Sequence, residues 1–408
     1  MLNIIWAGFF IVSFMFACFN SYYLGDVAIW GKMVVSIFDS AKSAFNICIN
    51  LTGILCLWLG LLKIAEVSGL TGVLSRLLMP LFKKIMPEVP SDSPALGSIV
   101  MNIAANILGL DNAATPMGLK AMEQLQEINP SSDTASKAQQ LFMVINASSV
   151  TLIPITILMY RSELGASNPA AVFIPILLAT FVSTMVGFLS IALVQKLNIF
   201  NRVVLAYLVA IFAFVGLVAW YFISLPPELR TIRAATVGNF TLFMFIIGFI
   251  VCGLFARINV YEQFIEGAKE GFFVAIKIIP YLVAMLVAIS ALQSSGVLDI
   301  ITLGFNNLFS YLGMDTDFVA AMPTAILKPL SGSGARAMMI ETLRTYGADS
   351  FQGFVSSVIQ GSTETTFYVL AVYFGVVRIN KVGAALPCAL LADLAGIIAA
   401  IYFSYIFF

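Results

Sequence analysis

Histidine is absent from all 408 residues. That removes Ser-His-Asp and Cys-His catalysis, imidazole metal sites and the usual proton shuttle at neutral pH. Charge is scarce as well. Only 10% of the residues are charged, against about 25% in a soluble domain. The 21 Lys and Arg are matched by 21 Asp and Glu, so no basic excess is left to neutralise phosphate and a nucleic-acid partner is not expected. The five cysteines, Cys18, Cys48, Cys56, Cys252 and Cys388, lie in apolar runs without a CxxC. They read as small buried hydrophobes and not as a disulfide frame or a metal site. No metal or cofactor is expected.

Apolar residues fill the space left by charge. The chain is 60% hydrophobic with a mean hydropathy of +0.99. A water-soluble core cannot hide that much apolar surface, so the sequence predicts an all-α integral membrane protein. The chain is apolar from residue 2 and has no basic n-region. A membrane helix is therefore expected there in place of a cleaved signal peptide.

A span needs about 20 apolar residues. Segments 3–20, 43–62, 170–194, 204–224, 237–256 and 383–407 qualify, and 138–160 and 268–294 qualify with polar residues mid-run. A ninth, 351–376, is interrupted by the run from Gln360 to Thr366. Segments 95–128 and 316–345 are half-apolar with Gly/Ser/Asn/Pro-rich middles, and each reads as a re-entrant helical hairpin. Segments 67–86 and 297–312 look amphipathic, as interfacial or ordinary connecting helices. Nine crossings with the N-terminus inside put twelve Lys and Arg inside and six outside, with Lys277, Lys328 and Arg336 at membrane depth. That bias favours this orientation.

The order of elements repeats. Ser40–Ala44 aligns with Gly267–Gly271, Ser68-Gly69 with Ser295-Gly296, the tip at Leu110–Ala114 with Leu330–Gly334, and Asn146–Thr151 with Gln360–Thr365. Each unit holds an even number of crossings, and the extra span 204–224 flips the second unit. An inverted-topology repeat follows, an arrangement found in many secondary transporters. A duplicated scaffold without transport is the other reading.

Four interruptions can carry chemistry. In the first hairpin, Asn102 and Asn106 share a helix face, while Asn112 and Thr115 are placed to cap the returning helix. These amides either face a solute or satisfy the tip's own backbone. The second tip, Lys328-Pro329-Leu330-Ser331-Gly332-Ser333-Gly334-Ala335-Arg336, offers Ser331 and Ser333 as caps and glycines for close backbone approach. Lys328 and Arg336 either attract an anionic group or pair with Glu364 or Asp393. Asn146 and Ser148 lie in the third break, where hydroxyls often bond only to their own carbonyls. The fourth is the sharpest: Gln360, Ser362, Thr363 and Glu364 place a carboxyl among an amide and hydroxyls inside an apolar run. An unpaired buried carboxylate costs several kcal/mol. Glu364, and second to it Asp393, are therefore the expected proton- or ion-coupling sites.

These segments resemble two related families. Residues 1–195 resemble spore maturation protein A, through Leu2-Asn3-Ile4-Ile5-Trp6, Leu57-Trp58-Leu59-Gly60-Leu61, Ile99–Asn102, Ala105–Leu110 and Asn112–Pro116. Residues 260–405 resemble spore maturation protein B, through Glu266–Gly271, Ile279–Leu286, Pro329–Ala335, Gln360–Leu370 and Leu390–Gly396. The chain is similar to a fusion of the two: halves 1–195 and 259–408 joined by helices in 196–258. Both halves resemble the nucleoside-recognition or Gate domain, shared with concentrative nucleoside transporters and a ferrous-iron transporter. The resemblance implies a multi-pass protein of the bacterial inner membrane. In the nucleoside carriers a Gly-Gln-Thr-Glu type tip touches the nucleoside. Gln360, Thr363 and Glu364 resemble it, with the glycine on the other side of the glutamine. The expectation is a transporter-like protein for a small polar or anionic solute, nucleoside-like among the choices, held between hairpin tips in the lipid bilayer. A homo-oligomer is left open. The alternative is a non-transporting scaffold or regulator of envelope or spore maturation, with a closed, dry interface. Without histidine or a usable Ser–Lys pair, an enzyme is not expected.

Overall fold

Two Ser-Gly corners turn the chain at equivalent points. Gly69 and Gly296 adopt φ values of 80° and 85°, a left-handed conformation that glycine enters without steric cost. Each corner follows a long helix and starts a short one. The computed structural model describes residues 2–108, 111–148 and 151–408, with side chains from residue 6 onward except at 111–113 and 227.

The first half runs through α1 (Leu2–Tyr23), α2 (Ile29–Val67), α3 (Leu70–Ile85), α4 (Pro94–Leu108), α5 (Asp111–Glu127), α6 (Lys137–Ser148), α7 (Ile155–Glu163) and α8 (Phe173–Gln195). Two helices follow, α9 (Arg202–Ser224) and α10 (Pro227–Phe255). The second half holds α11 (Val260–Ser294), α12 (Val297–Tyr311), α13 (Met322–Leu330), α14 (Gly332–Tyr346), α15 (Phe351–Ser362), α16 (Thr366–Val376) and α17 (Ala385–Phe407). Among the described residues, seven unbroken helices are long and apolar enough to cross a membrane: α1, α2, α8, α9, α10, α11 and α17. The interrupted pairs α6/α7 and α15/α16 supply the other two expected crossings. The pairs α4/α5 and α13/α14 form the expected hairpins, and α3 and α12 are the amphipathic connectors.

Helices α2 and α11 run well past the apolar windows that predicted them. At 1.5 Å per residue the 39 residues of α2 extend about 58 Å, twice the hydrocarbon thickness. Ile29–Ala41 keeps apolar residues such as Met33, Val34, Val35, Ile37 and Phe38, but Lys32, Asp39 and Lys42 interrupt the apolar run, while no proline interrupts the backbone hydrogen bonding. The helix therefore continues past the uninterrupted apolar window.

The halves are inverted. Ser36 meets Ser290, Gly60 packs on Phe264, and Gly271 on Cys56. Numbers rise along α2 as they fall along α11, so these equivalent helices are antiparallel. The same holds for α8 and α17, where Gly187 packs on Ala392 and Gly396 on Ser183. Antiparallel packing of equivalents requires one half to be turned over relative to the other, as the parity of crossings predicts. Around this core, α9 presents Phe214, Leu217 and Trp220 outward at 61–71% exposure. A helix apolar on its outer face is suited to lipid.

A clip ties the halves outside the spans. The Ala135 N–H donates to the Lys381 carbonyl, and the Asn380 and Lys381 N–H groups donate to the Asp133 carbonyl. Lys381 Nζ lies 3.0 Å from Asp133 Oδ2. The Lys381 ammonium, with the Thr134 hydroxyl, holds the Asp133 carboxyl below its ordinary 3.8. A carboxyl depressed on folding stabilises above its unfolded value, and the contribution disappears as pH falls through the folded one. The stability deficit of Lys381→Met is thus expected to be small at pH 7, since both groups are exposed. It should shrink as pH falls below about 4. Melting curves of both proteins from pH 7 to pH 3 test this, and a deficit that grows on acidification would refute it.

Candidate functional site

The two broken crossings meet each other at their interruptions. At the second break, Thr363 is extended, with φ −148° and ψ 173°, and the Glu364 N–H donates to the Ala147 carbonyl at 2.9 Å. The Leu152 N–H donates to the Ile107 carbonyl at 3.0 Å, and the Thr184 hydroxyl donates to the Ser148 carbonyl at 3.0 Å. Backbone freed by the breaks is therefore partly satisfied by the neighbouring hairpin, by α8 and by the other break. This satisfies the rule that irregular backbone at membrane depth must be buried in protein or line a cavity.

A cavity of about 460 Å³ opens where these elements converge. Asn106, Thr115, Asn146, Lys328, Arg336, Gln360, Thr363 and Glu364 line it, all singled out from the sequence. The four interruptions thus do converge on one space. Lys63, Glu66 and Glu270 line it toward the C-terminal end of α2, where Lys63 lies 3.3 Å from Glu66 and 3.6 Å from Glu270. Toward the other end of α2, Asn50 donates to Glu163 beside a fully buried Arg161. The Arg161 guanidinium reaches Ser357 at 3.3 Å, Asp349 at 3.8 Å and the face of Phe354. The cavity therefore runs toward the end of α2 that carries Lys63, and packing seals the Arg161 end. By the Lys and Arg count, the Lys63 end is the inner one.

Several expected site residues serve the fold instead. Asn102 is fully buried, and its amide donates to the Ala114 carbonyl at 2.8 Å and to the Tyr373 hydroxyl at 3.2 Å. There the amide satisfies the hairpin's own backbone. Asn106 donates to Asn146 Oδ1 at 2.8 Å, which fixes the two amides that do reach the cavity. The Ser148 hydroxyl donates to the Val144 carbonyl and the Ser362 hydroxyl to the Ile359 carbonyl, as hydroxyls in apolar helices commonly do. Ser331 caps α14 by accepting the Gly334 N–H at 3.1 Å, and Ser333 lies 3.3 Å from Ser331. None of these five lines the cavity. The side chain of Asn112 lies outside the described residues.

The charged residues divide unexpectedly. Among the described residues, Lys328, Arg336, Glu364 and Asp393 take part in no ion pair within 4.0 Å, so of the two readings of Lys328 and Arg336 the pairing with Glu364 or Asp393 does not form. Lys328 is 3% exposed yet lines the cavity. Glu364, expected to be buried in an apolar segment, is exposed to the cavity, because the break turns it away from the helix packing. Asp393 is buried away from the cavity at 1% exposure.

Sequence reasoning missed Lys63, Glu66, Glu270 and Tyr373. The i, i+3 spacing of Lys63 and Glu66 at a span end offered a weak signal. Tyr373 offered none, since it sits in an apolar run and its partners Asn102 and Asn146 belong to the other half.

Comparison with known proteins converges on the same regions. The Gate family, described as nucleoside recognition, matches residues 48–167 and 275–380. These two segments contain both hairpins and both breaks. Spore maturation protein A of Bacillus subtilis (strain 168) is 40% identical over 183 residues, covering 45% of this chain and 90% of that protein. Spore maturation protein B of the same organism is 48% identical over 156 residues, covering 38% of this chain and 86% of that protein. No solved structure matches the chain.

Proposed function

Because the chain belongs to the Gate (nucleoside recognition) family, we propose that it is a secondary transporter-like protein of the bacterial inner membrane that carries a small polar or anionic solute. The cavity at the crossing of the broken helices is the observation that carries this reading. Its volume of about 460 Å³ falls in the range of small-molecule sites. Asn106, Asn146, Gln360 and Glu364 offer amide and carboxyl groups for a polar solute, and Lys328 and Arg336 offer positive charge without competing ion pairs. A nucleoside fits the amide-rich wall, and a nucleotide-like or carboxylate group fits the cations. The repeat 1–195 and 259–408, joined by 196–258, gives two mirrored supports that can exchange roles across the membrane. The open, polar cavity supports a carrier over a maturation scaffold with a dry interface.

The test is reconstitution in liposomes, with labelled nucleosides, nucleotides, amino acids and dicarboxylates as probes. One class is expected to accumulate saturably. In detergent the same class should add about 2.7 kcal/mol of stability at 100 times its dissociation constant. Equal leakage of every probe, with no stabilisation by any, would overturn the transporter reading.

A further inference from the structure

Behind the cavity wall lies a second polar cluster, and its partners are missing. Both carboxylate oxygens of Asp393 are buried without a hydrogen-bond partner, as are the hydroxyls of Thr363, Thr366 and Ser183 and the Oε1 of Gln360. All five residues are at least nine-tenths buried. They come from three elements: α8 (Ser183), the second break with its flanking turns (Gln360, Thr363, Thr366) and α17 (Asp393). Packing brings these elements together. A Cβ added at Gly396, one turn beyond Asp393, would stand 2.6 Å from Thr363 Cγ2 and 3.3 Å from Ser183 Oγ. The Thr363 and Thr366 hydroxyls lie beside the Asp393 carboxylate, short of hydrogen-bonding geometry. Lys328 is within Coulombic reach of Asp393 but makes no ion pair with it.

Buried polar atoms in native proteins nearly always have partners, so a group of orphans in one place needs an explanation. The three hydroxyls are donors themselves, yet none reaches hydrogen-bonding geometry with the carboxylate or any other acceptor, and a proton on Asp393 would not change that spacing. A small cation takes several oxygen lone pairs at once. Helix α15 also ends at Ser362, so its last carbonyls have no intrahelical partners and carry the negative end of the helix dipole. Broken-helix carbonyls and C-terminal helix ends are suited to binding Na⁺. Among the described residues no group of three His, Cys, Asp or Glu forms, so the cluster lacks the negative charge a divalent ion favours.

We propose that Asp393, Thr363, Thr366 and Ser183, with Gln360 at the edge, bind a dehydrated sodium ion. This moves ion binding from Glu364, which faces the open cavity, to Asp393 behind it. Thr363 and Gln360 serve both spaces, lining the cavity while belonging to the ion cluster, so the ion fixes the break that the solute touches. With the ion bound, Lys328, Arg336, Glu364, Asp393 and Na⁺ carry one net positive charge, which favours an anionic group in the cavity. That coupling rests on the transporter reading, whereas the ion site itself does not.

The test uses the full chain in detergent without any solute. Melting temperature and ²²Na⁺ binding are measured in NaCl, KCl and choline chloride at one ionic strength, over several pH values. Wild type is expected to bind ²²Na⁺ saturably and to be stabilised by Na⁺ over K⁺ and choline. Asp393→Asn should abolish both effects. Thr366→Val, which keeps volume and fold, should weaken Na⁺ affinity by about tenfold or more, the loss expected for one interaction with a charged group. Glu364→Gln should retain Na⁺ binding. The proposal is overturned if wild type shows no preference for Na⁺, if stabilisation follows pH alone, or if Thr366→Val binds as wild type does. Na⁺ binding without uptake of any solute would remove the transporter reading and leave the ion site standing.

Discussion

Lys328→Met is expected to make the protein more stable and unable to bind its solute. Lys328 is 3% exposed and takes part in no ion pair among the described residues. A buried charge without a close partner is costly, whereas a methionine of similar length fills the same space with apolar surface. Removing the charge should raise the melting temperature in detergent when no solute is present. The same change removes a charged contact to the solute, worth about 1.5–3 kcal/mol, a loss of about 10- to 150-fold in affinity. Arg336→Gln is expected to weaken binding in the same direction. A structural ion pair would behave oppositely, since losing one member leaves the other charge stranded and destabilises by about 3–5 kcal/mol. Melting temperatures with and without the accumulated solute separate the two. A destabilised Lys328→Met that still gains wild-type stabilisation from the solute would end the case for a binding cation.

Gly267→Val combined with Gly271→Val is expected to abolish recovery of folded, monodisperse protein. Where α11 crosses α2, Gly267 faces the Leu59 carbonyl and the Gly60 backbone, and a Cβ on Gly271 would stand 2.7 Å from Cys56 Cα. Those neighbours are backbone atoms of α2, so no rotamer change relieves the clash and the helices must separate. Small residues permit such approach in membranes, where packing rather than the hydrophobic effect holds helices together. Overpacking costs about 1–3 kcal/mol per site, and occasionally more. Separation here would also displace the Lys63–Glu270 contact at the cavity's end. Gly53→Ala on α2 has nothing within 4 Å of its added Cβ and should behave as wild type. Size-exclusion profiles and melting curves decide the matter: a monodisperse double variant with a wild-type melting temperature would show that the close crossing is not what holds the halves together.

The roles of individual residues divide along the same physical line. The Asn102 and Asn106 pair shows why a helix face was readable and a role was not. Their spacing puts both amides on one stripe. Only the position of Ala114 and Tyr373, 12 and 271 residues away, decides that Asn102 is consumed by the fold while Asn106 reaches the cavity. Ser148 and Ser362 are similar, since a hydroxyl in an apolar helix has its own carbonyls as ready partners. Ser183 looks the same in sequence, yet no partner reaches it. Glu364 departs from its expected buried setting because the break at Thr363–Thr365 rotates it outward, while Asp393 stays buried in α17.

The amino-acid order by itself determined that this is a helical membrane protein, where its crossings and hairpins lie, and that its halves are repeated and inverted. These follow from local quantities: transfer cost per residue, backbone satisfaction in lipid, and the parity of crossings. Only the tertiary structure decided which polar groups share the cavity and which are sealed behind it. That depends on rotation about helix axes and on partners hundreds of residues distant, and no local pattern encodes either.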